Sequence, residues 1–407
     1  MTVSCRFSKK SRKFSSAKEL KGNSEKMNFE LSEEQKLLQE MVRDFAQKEV
    51  LPVAKSLEES HTFPHELLKK LASLGMLGMT VPAEFGGTEM DTLSLVIVLE
   101  ELSRASPALA VIISVHCLLF CYTISKFGTK TQKEKYLPQA ARGEILGAFS
   151  LTEPEAGSDA TNLKSKSKRQ GDTYVLNGRK AWVTSGSEAD AFILFTGLGE
   201  EPGSRKLNAF IVEKSLPGFK VSRIEEKMGL HSSLTAEITL EDCEVPAENH
   251  LGQEGKGASI ALHCLDFSRM GIAAQSVGLA QSALEESIRY AKQREAFDQK
   301  VSEFQAIQFM IADMSTHTEA ARWLTYKAAS LRDQGKPFAK ESSMAKLFAS
   351  EAANRVVYQA LQIHGGYGYS REFLIERLYR DARVLTLYEG TSEIQRLIIA
   401  KNLLKEI

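Results

Sequence analysis

A single carboxylate near the C-terminus carries the sharpest chemical signal in this sequence. Glu389 lies in Leu387-Tyr388-Glu389-Gly390-Thr391-Ser392-Glu393-Ile394-Gln395-Arg396, between an aromatic ring and a flexible glycine. Directly after it, Ile394, Leu397 and Ile398 are spaced as one apolar face of a helix. A carboxylate at the mouth of an apolar pocket loses hydration, and its pKa climbs toward the range in which a general base works near neutral pH. A glutamate at a helix start also has a purely structural use at the positive end of the helix dipole. The local sequence leaves both readings open.

Other segments offer ligand-binding chemistry with equally ordinary alternatives. Thr152-Glu153-Pro154-Glu155-Ala156-Gly157-Ser158-Asp159 supplies hydroxyls and backbone N–H groups, or else a surface turn. Ile363-His364-Gly365-Gly366-Tyr367-Gly368 lets main chain approach a ligand closely, or simply caps a helix. Asp266 and Arg269 stand three apart, so the pair either grips an anionic ligand or bridges within one helix. Trp182 is a flat aromatic on a strand-like run, suited to cover a planar ligand or to fill a core. With these motifs in this order, the chain resembles the acyl-CoA dehydrogenase family over essentially all of Met27 to Ile407.

That resemblance implies bound FAD and the conversion of acyl-CoA thioesters to trans-2-enoyl-CoA, with the β-hydrogen leaving as hydride to flavin N5. Glu389 matches the base that takes the α-proton, Tyr388 walls the pocket, and Gly390 lets the backbone near the substrate. Phe149, Leu151, Thr152, Gly157 and Ser158 match a flavin-contacting loop, with Ser158 also at the substrate. Trp182 and Thr184, on the second strand of an expected hairpin, match the flavin-stacking strand, and Asp266 and Arg269 match positions that bind CoA. Arg294, Ala296, Phe297 and Gln305 resemble a stretch reaching the flavin from a neighbouring subunit, as do Gln362, Gly365, Gly366, Thr391 and Glu393. Each site would then need two chains, and the family is mostly tetrameric. An electron-transfer flavoprotein is the implied electron acceptor.

Subfamily marks point to the short-chain, butyryl-CoA type. Ser268 stands where isovaleryl-type and long-chain relatives carry an alternative catalytic glutamate, and Ala110 where glutaryl-CoA relatives carry an arginine. Glu155 departs mildly from the family's usual glycine. A branched short-chain substrate, an oxidase, or a non-catalytic flavin-binding scaffold are the alternatives. The nucleic-acid-binding branch of the family needs a basic C-terminal domain that this sequence lacks.

The elements that must position these residues are legible in outline. At 407 residues the chain predicts two or three packed units, and its 52 basic and 52 acidic residues imply no polyanion surface. Residues 1–26, rich in Lys, Arg and Ser, read as a disordered tail, a start placed too early, or a mitochondrial presequence. Five cysteines without metal-ligand spacing fit buried thiols in a reducing compartment: a bacterial cytoplasm, or the mitochondrial matrix if 1–26 is a presequence. The most apolar run, Ala108 to Tyr122, is broken by Ser114 and His116 and reads as a buried helix rather than a membrane span.

The fold expected is α+β and mainly α. Residues 27–144 form a helical domain, opened by a Ser32/Gln35 capping box and interrupted at Pro82 and Gly86-Gly87. Residues 145–255 form an antiparallel β-domain, with a hairpin turn at Asn177-Gly178 and strands near 191–195, 209–212 and 236–240. Residues 256–407 form a four-helix bundle, whose runs 262–292, 303–334 and 337–365 are each about 45 Å if helical. Trp323 is expected in its core.

Overall fold

The computed structural model describes residues 30–198 and 205–406, as a helical unit, a sheet and a second helical unit. The basic segment 1–26, with Cys5, lies outside the described residues.

The first unit starts as its sequence dictates. Helix α1 (Glu33–Phe45) opens on Ser32, whose hydroxyl accepts from the Gln35 N–H while the Gln35 side chain accepts from the Ser32 N–H. Pro82 leads into a short turn, Ala83–Phe85, which Gly86 closes at φ 81°. Helix α2 (Thr92–Ala105) is capped twice. Asp91 accepts from the Ser94 N–H, and Asp333, from the C-terminal unit, accepts from Thr92 at 2.8 Å and Leu93 at 3.1 Å.

Helix α3 (Pro107–Ser114) runs on through one wide turn, Val115–Cys121, to Phe127. This corrects the expected length: Pro107–Phe127 has 21 residues and a mean hydropathy of 2.1, long and apolar enough by composition to cross a membrane. As expected it is a core helix, with 89% of its apolar window buried inside the protein. His116 does not break it because both ring nitrogens are satisfied. The Gly147 N–H donates to Nδ1 at 3.0 Å, and Nε2 donates to the Ala140 carbonyl at 3.2 Å. Burial pushes the ring's pKa down to about 4, so a neutral imidazole ties this helix to the first strand. Cys117, Cys121, Cys243 and Cys264 are buried free thiols.

The sheet has seven strands: β1 (Gly147–Ser150), β2 (Lys166–Gln170), β3 (Thr173–Thr184), β4 (Ala191–Leu198), β5 (Leu207–Glu213), β6 (Phe219–Ile224) and β7 (Thr235–Pro246). Their order is β1-β4-β2-β3-β7-β6, with β5 also on β4. The sheet is mixed rather than wholly antiparallel, because β1 and β2 both run parallel to β4. Strand β4 is buried along nearly its whole length, so its continuous apolar run carries no alternation from which to read pairing direction.

Asn177-Gly178 does not turn the chain, contrary to expectation. Strand β3 passes straight through it, and the tight turn falls at Gly171-Asp172, between β2 and β3. The Asn177 side chain works sideways instead, donating to Asp242 Oδ1 at 2.9 Å and accepting from the Asp242 N–H at 2.8 Å. Gly178 packs so tightly that a Cβ would lie 2.4 Å from that of Ser165. The pair forms a bulge against β7.

The C-terminal unit packs α4 (Gly257–Gln293), α5 (Gln305–Asp333), α6 (Ala339–His364), the short α7 (Leu374–Ala382) and α8 (Ser392–Glu406). Glycines set how closely α4 meets the first unit. A Cβ on Gly278 would lie 2.1 Å from the Glu100 carbonyl oxygen, and one on Gly271 would lie 2.4 Å from Ser114 Oγ. Trp323 is not a core residue: it is 39% exposed, off the stripe of Met314, Thr318, Ala321, Thr325 and Ala328 that α5 buries.

Two carboxylates from different units hold one loop of the middle unit. Glu58 accepts from the His231 and Ser232 N–H groups at 2.7 and 3.1 Å, and Asp381 accepts from the Leu230 N–H at 2.7 Å. Burial, then the nearby Glu58 charge, pushes Asp381 up to about 7. A free aspartate titrates near 4, so the folded chain holds this proton more tightly than the unfolded one. The associated stability is complete below about pH 4 and is lost as pH rises through about 7. Asp381→Asn is therefore expected to raise Tm by about 2–4 °C at pH 8 and to leave it nearly unchanged at pH 4. A thermal melt at both pH values checks this, and an unchanged or lower Tm at pH 8 would refute it.

Candidate active site

Glu389 sits where three helices of the C-terminal unit converge, in a backbone conformation that few side chains adopt. Its φ is 52° and that of Gly390 is 94°, so two successive residues are left-handed. Such a conformation costs a non-glycine residue about 1–2 kcal/mol and persists only where surroundings enforce it. Here α8 and α6 enforce it. Gln395 Nε2 donates to the Gly390 carbonyl at 2.8 Å and to the Glu389 carbonyl at 3.3 Å, while Lys346 Nζ donates to the same Gly390 oxygen at 2.7 Å.

The Glu389 side chain reaches toward α4, where Ser268 Oγ donates to its carboxylate at 2.5 Å. Glu389 is half-buried as a residue, yet its carboxyl is dehydrated enough that burial raises its pKa. The Ser268 hydrogen bond and the charges of Lys346 and Arg269 oppose that rise. Tyr388 is tethered by its hydroxyl to Gln275, whose own amide donates to the Pro107 carbonyl at 2.8 Å. The aromatic wall is thus braced against the start of α3. Thr391 is half-buried and accepts from the Ile394 N–H at 3.4 Å, opening α8, and Glu393 is exposed.

Asp266 and Arg269 form the intrahelical ion pair that their spacing allows. Arg269 is 2% exposed and its Nε has no hydrogen-bond partner among the described residues, whereas Asp266 is half-buried. The pair flanks Ser268 in sequence, and the Arg269 charge acts on Glu389.

A second group comes from the sheet. Leu151 is buried, Phe149 and Thr152 are half-buried, and Gly157 and Ser158 are exposed. This loop is tied to β3 by the Ala181 N–H to Thr152 carbonyl bond at 2.9 Å and by a buried Glu153–Lys180 ion pair at 2.8 Å. Next to that anchor the β3–β7 register shifts between Lys180 and Val183, which turns Trp182 out at φ 58° with 60% exposure. Thr184 follows, half-buried. A large indole held outward by a bulge is poorly placed to stabilise the core but well placed to cover a flat ring. Glu155, the departure from the family, is exposed and faces Arg179 at 3.8 Å.

The third group is at one end of the bundle. Arg294, Phe297, Gln305, Gln362, Gly365 and Gly366 are all exposed, and Ala296 is half-buried. The Arg294 guanidinium lies over the Tyr367 ring at 5.6 Å, which joins the two segments. Phe297 is 89% exposed. Gly365 adopts φ 58°, ψ −137°, open to glycine alone, and among the described residues nothing but chain neighbours lies within 4 Å of where its Cβ or that of Gly366 would be. His364 beneath them is a buried core residue stacked on Tyr290 at 4.3 Å.

Leu151, with the half-buried Phe149 and Tyr388, packs on one hydrophobic core, so the first two groups share a foundation. No hydrogen bond or ring contact joins the third group to either among the described residues. A separate cleft of about 620 Å³, lined by residues such as Glu58, Lys227, Arg371 and Arg377, contains none of these positions.

Sequence reasoning missed Lys346, Gln395 and Gln275. For Lys346 a signal existed: it shares a helical stripe with Ser342, Ala349 and Ala353, all buried, and a lysine on such a stripe requires a partner.

The match to known proteins runs the length of this architecture. Residues 32–144 match the acyl-CoA dehydrogenase N-terminal domain, 148–243 its middle domain and 255–404 its C-terminal domain. The mitochondrial short-chain specific acyl-CoA dehydrogenase of Mus musculus is 45% identical over 376 residues, 92% of this chain and 91% of that protein. The structure of butyryl-CoA dehydrogenase from Megasphaera elsdenii superposes with a TM-score of 0.90 at 41% identity, covering 93% of this chain and all of that one. An acyl-CoA dehydrogenase from Bacillus anthracis complexed with FAD gives 0.87 at 38% identity, covering 92% of this chain and 68% of that one. With all three domains matched in order, this chain belongs to the acyl-CoA dehydrogenase family.

Proposed function

We propose that this protein is an FAD-dependent short-chain acyl-CoA dehydrogenase in which Glu389 removes the α-proton of the thioester. The observation that carries this reading is the Glu389 carboxylate itself, dehydrated, hydrogen-bonded by Ser268, and fixed by a left-handed backbone. A raised pKa gives a carboxylate the basicity that proton abstraction beside a carbonyl requires. The Glu389 N–H fits the role of donor to the thioester oxygen, where negative charge develops as the proton leaves. Asp266 and Arg269 are the groups offered to the CoA portion, and Ser158 joins them at the substrate.

The residues present fit FAD. The outward Trp182 and the Thr152 loop suit its ring system, and the bare Gly365-Gly366 backbone suits a pyrophosphate. When bound, the flavin supplies the acceptor for the hydride lost from the β-carbon. Arg294, Phe297, Gln305 and Gln362, exposed together, would serve the flavin of a neighbouring subunit, so the working form is an oligomer, taken as the family's tetramer. Electrons then pass to an electron-transfer flavoprotein. Ser268 in place of a second glutamate, and the fully buried Ala110 in place of a cation, favour an unbranched, uncharged acyl group.

Anaerobic titration with acyl-CoA thioesters of increasing length, and with isobutyryl- and 2-methylbutyryl-CoA, tests the reading. Butyryl-CoA is expected to bleach the flavin fastest. Faster bleaching by a branched thioester would reassign the substrate, and bleaching by none would leave a flavin-binding scaffold.

A further inference from the structure

Lys346 has 0% exposure, and its nitrogen is bonded to a neutral partner, the Gly390 carbonyl at 2.7 Å. Enclosing an ammonium costs several kcal/mol, so a lysine kept only for packing would be out-competed by methionine. We propose that Lys346 is the positioning residue of the catalytic carboxylate: it holds the left-handed turn through the Gly390 carbonyl and so sets a buried cation one residue along from Glu389. This rests on the reading of Glu389 as the base.

The geometry carries the hold on the turn, and the Lys346 charge works in the direction that keeps Glu389 ionised. Lys346 and Gln395 place two donors from two helices on one carbonyl, and this crossing of α6 and α8 fixes the residue that follows the base. Several charged and titratable groups face the site. Asp266 and Arg269 come from α4, Glu351 from α6, Tyr388 from the turn, and Glu393 and Arg396 from α8. Arg269 is committed to Asp266, and Arg396 to Glu351 at 2.5 Å. Among the described residues Lys346 forms no such pair, and Glu389 is the first of the carboxylates whose charge acts on it, ahead of Glu393 and Glu351. Burial lowers the lysine's own pKa to about 8, with Glu389 opposing the fall, so below that pH the cation is present while the base titrates.

Removing the cation raises the pKa of the base, which shifts the acid limb of the pH–rate profile upward. The Lys346 charge is one of the influences that hold the Glu389 pKa down against burial, so its loss moves the limb upward. Lys346→Gln retains a donor but not the charge, Lys346→Met retains neither, and Lys346→Arg retains the charge. In single-turnover flavin bleaching by butyryl-CoA, the Gln and Met holoenzymes should show the limb about 1 unit higher, and Arg should restore it. The rate should fall roughly tenfold below the limb and change little well above it. A Gln variant with the wild-type limb, an Arg variant shifted like Gln, or a Gln variant that cannot fold or bind acyl-CoA would each overturn the proposal. Glu389→Gln in the same assay separates the two readings. If that variant still bleaches, the base assignment fails; if it is silent while the lysine variants keep the wild-type limb, only the role of Lys346 fails.

Discussion

Glu389→Gln is expected to slow anaerobic flavin bleaching by about a thousand-fold while acyl-CoA binding changes by no more than a few-fold. The amide matches the carboxylate in shape and can still accept the hydrogen bond from Ser268, so the pocket stays filled. The left-handed turn is held through main-chain carbonyls by Gln395 and Lys346, so the substitution leaves it in place. What is lost is proton affinity. A glutamine cannot take a proton from carbon, so the defect must appear in the chemical step rather than in affinity. Stopped-flow bleaching and a separate acyl-CoA titration measure the two quantities. A bleaching rate within threefold of wild type would remove Glu389 from the reaction and require another base.

How far the sequence revealed this site depends on the range of the interactions that build it. Glu389, Tyr388, Gly390 and Thr391 were visible because they are contiguous, and a glycine beside a lone acid is a local pattern. The supporting contacts were not visible. Lys346 and Gln275 lie 44 and 113 residues from the groups they bond, and no local periodicity encodes such a pairing. Ser32 with Gln35 shows the opposite case: a capping box is closed within one turn, and it forms as read. Asn177-Gly178 misled because its hairpin signature assumes that the asparagine satisfies its own turn. Here a strand 65 residues away satisfies it instead. Helix type, order and approximate length followed from 3.6-residue periodicity, whereas the parallel pairing of β1 and β2 with β4 did not, since a fully buried strand has no polar face to reveal it.

Lys180→Met is expected to destabilise the middle unit by about 3–5 kcal/mol, because it strips the counter-charge from a buried carboxylate. Glu153 and Lys180 are both almost wholly enclosed, at 3% and 0% exposure, and the lysine also donates to the Leu151 carbonyl at 3.2 Å. Burial works to raise Glu153, but the Lys180 charge and the hydrogen bonds from Ser165 and Lys164 hold it below its ordinary value. Without the lysine the burial effect prevails and that carboxyl climbs. A depressed carboxylate stabilises the fold above its unfolded pKa near 4.5, whereas a raised one destabilises it there. The Tm gap between wild type and variant should therefore be about 10 °C at pH 7 and should narrow as pH falls toward 4.5. The same pair fixes Thr152 against β3 beside Trp182, so the variant should also release FAD more readily on dilution, read as flavin fluorescence. Adding Glu153→Gln to Lys180→Met should restore much of the lost stability, since the uncompensated charge is then gone. Equal Tm values for wild type and Lys180→Met at pH 7 would show that the pair does not anchor this loop.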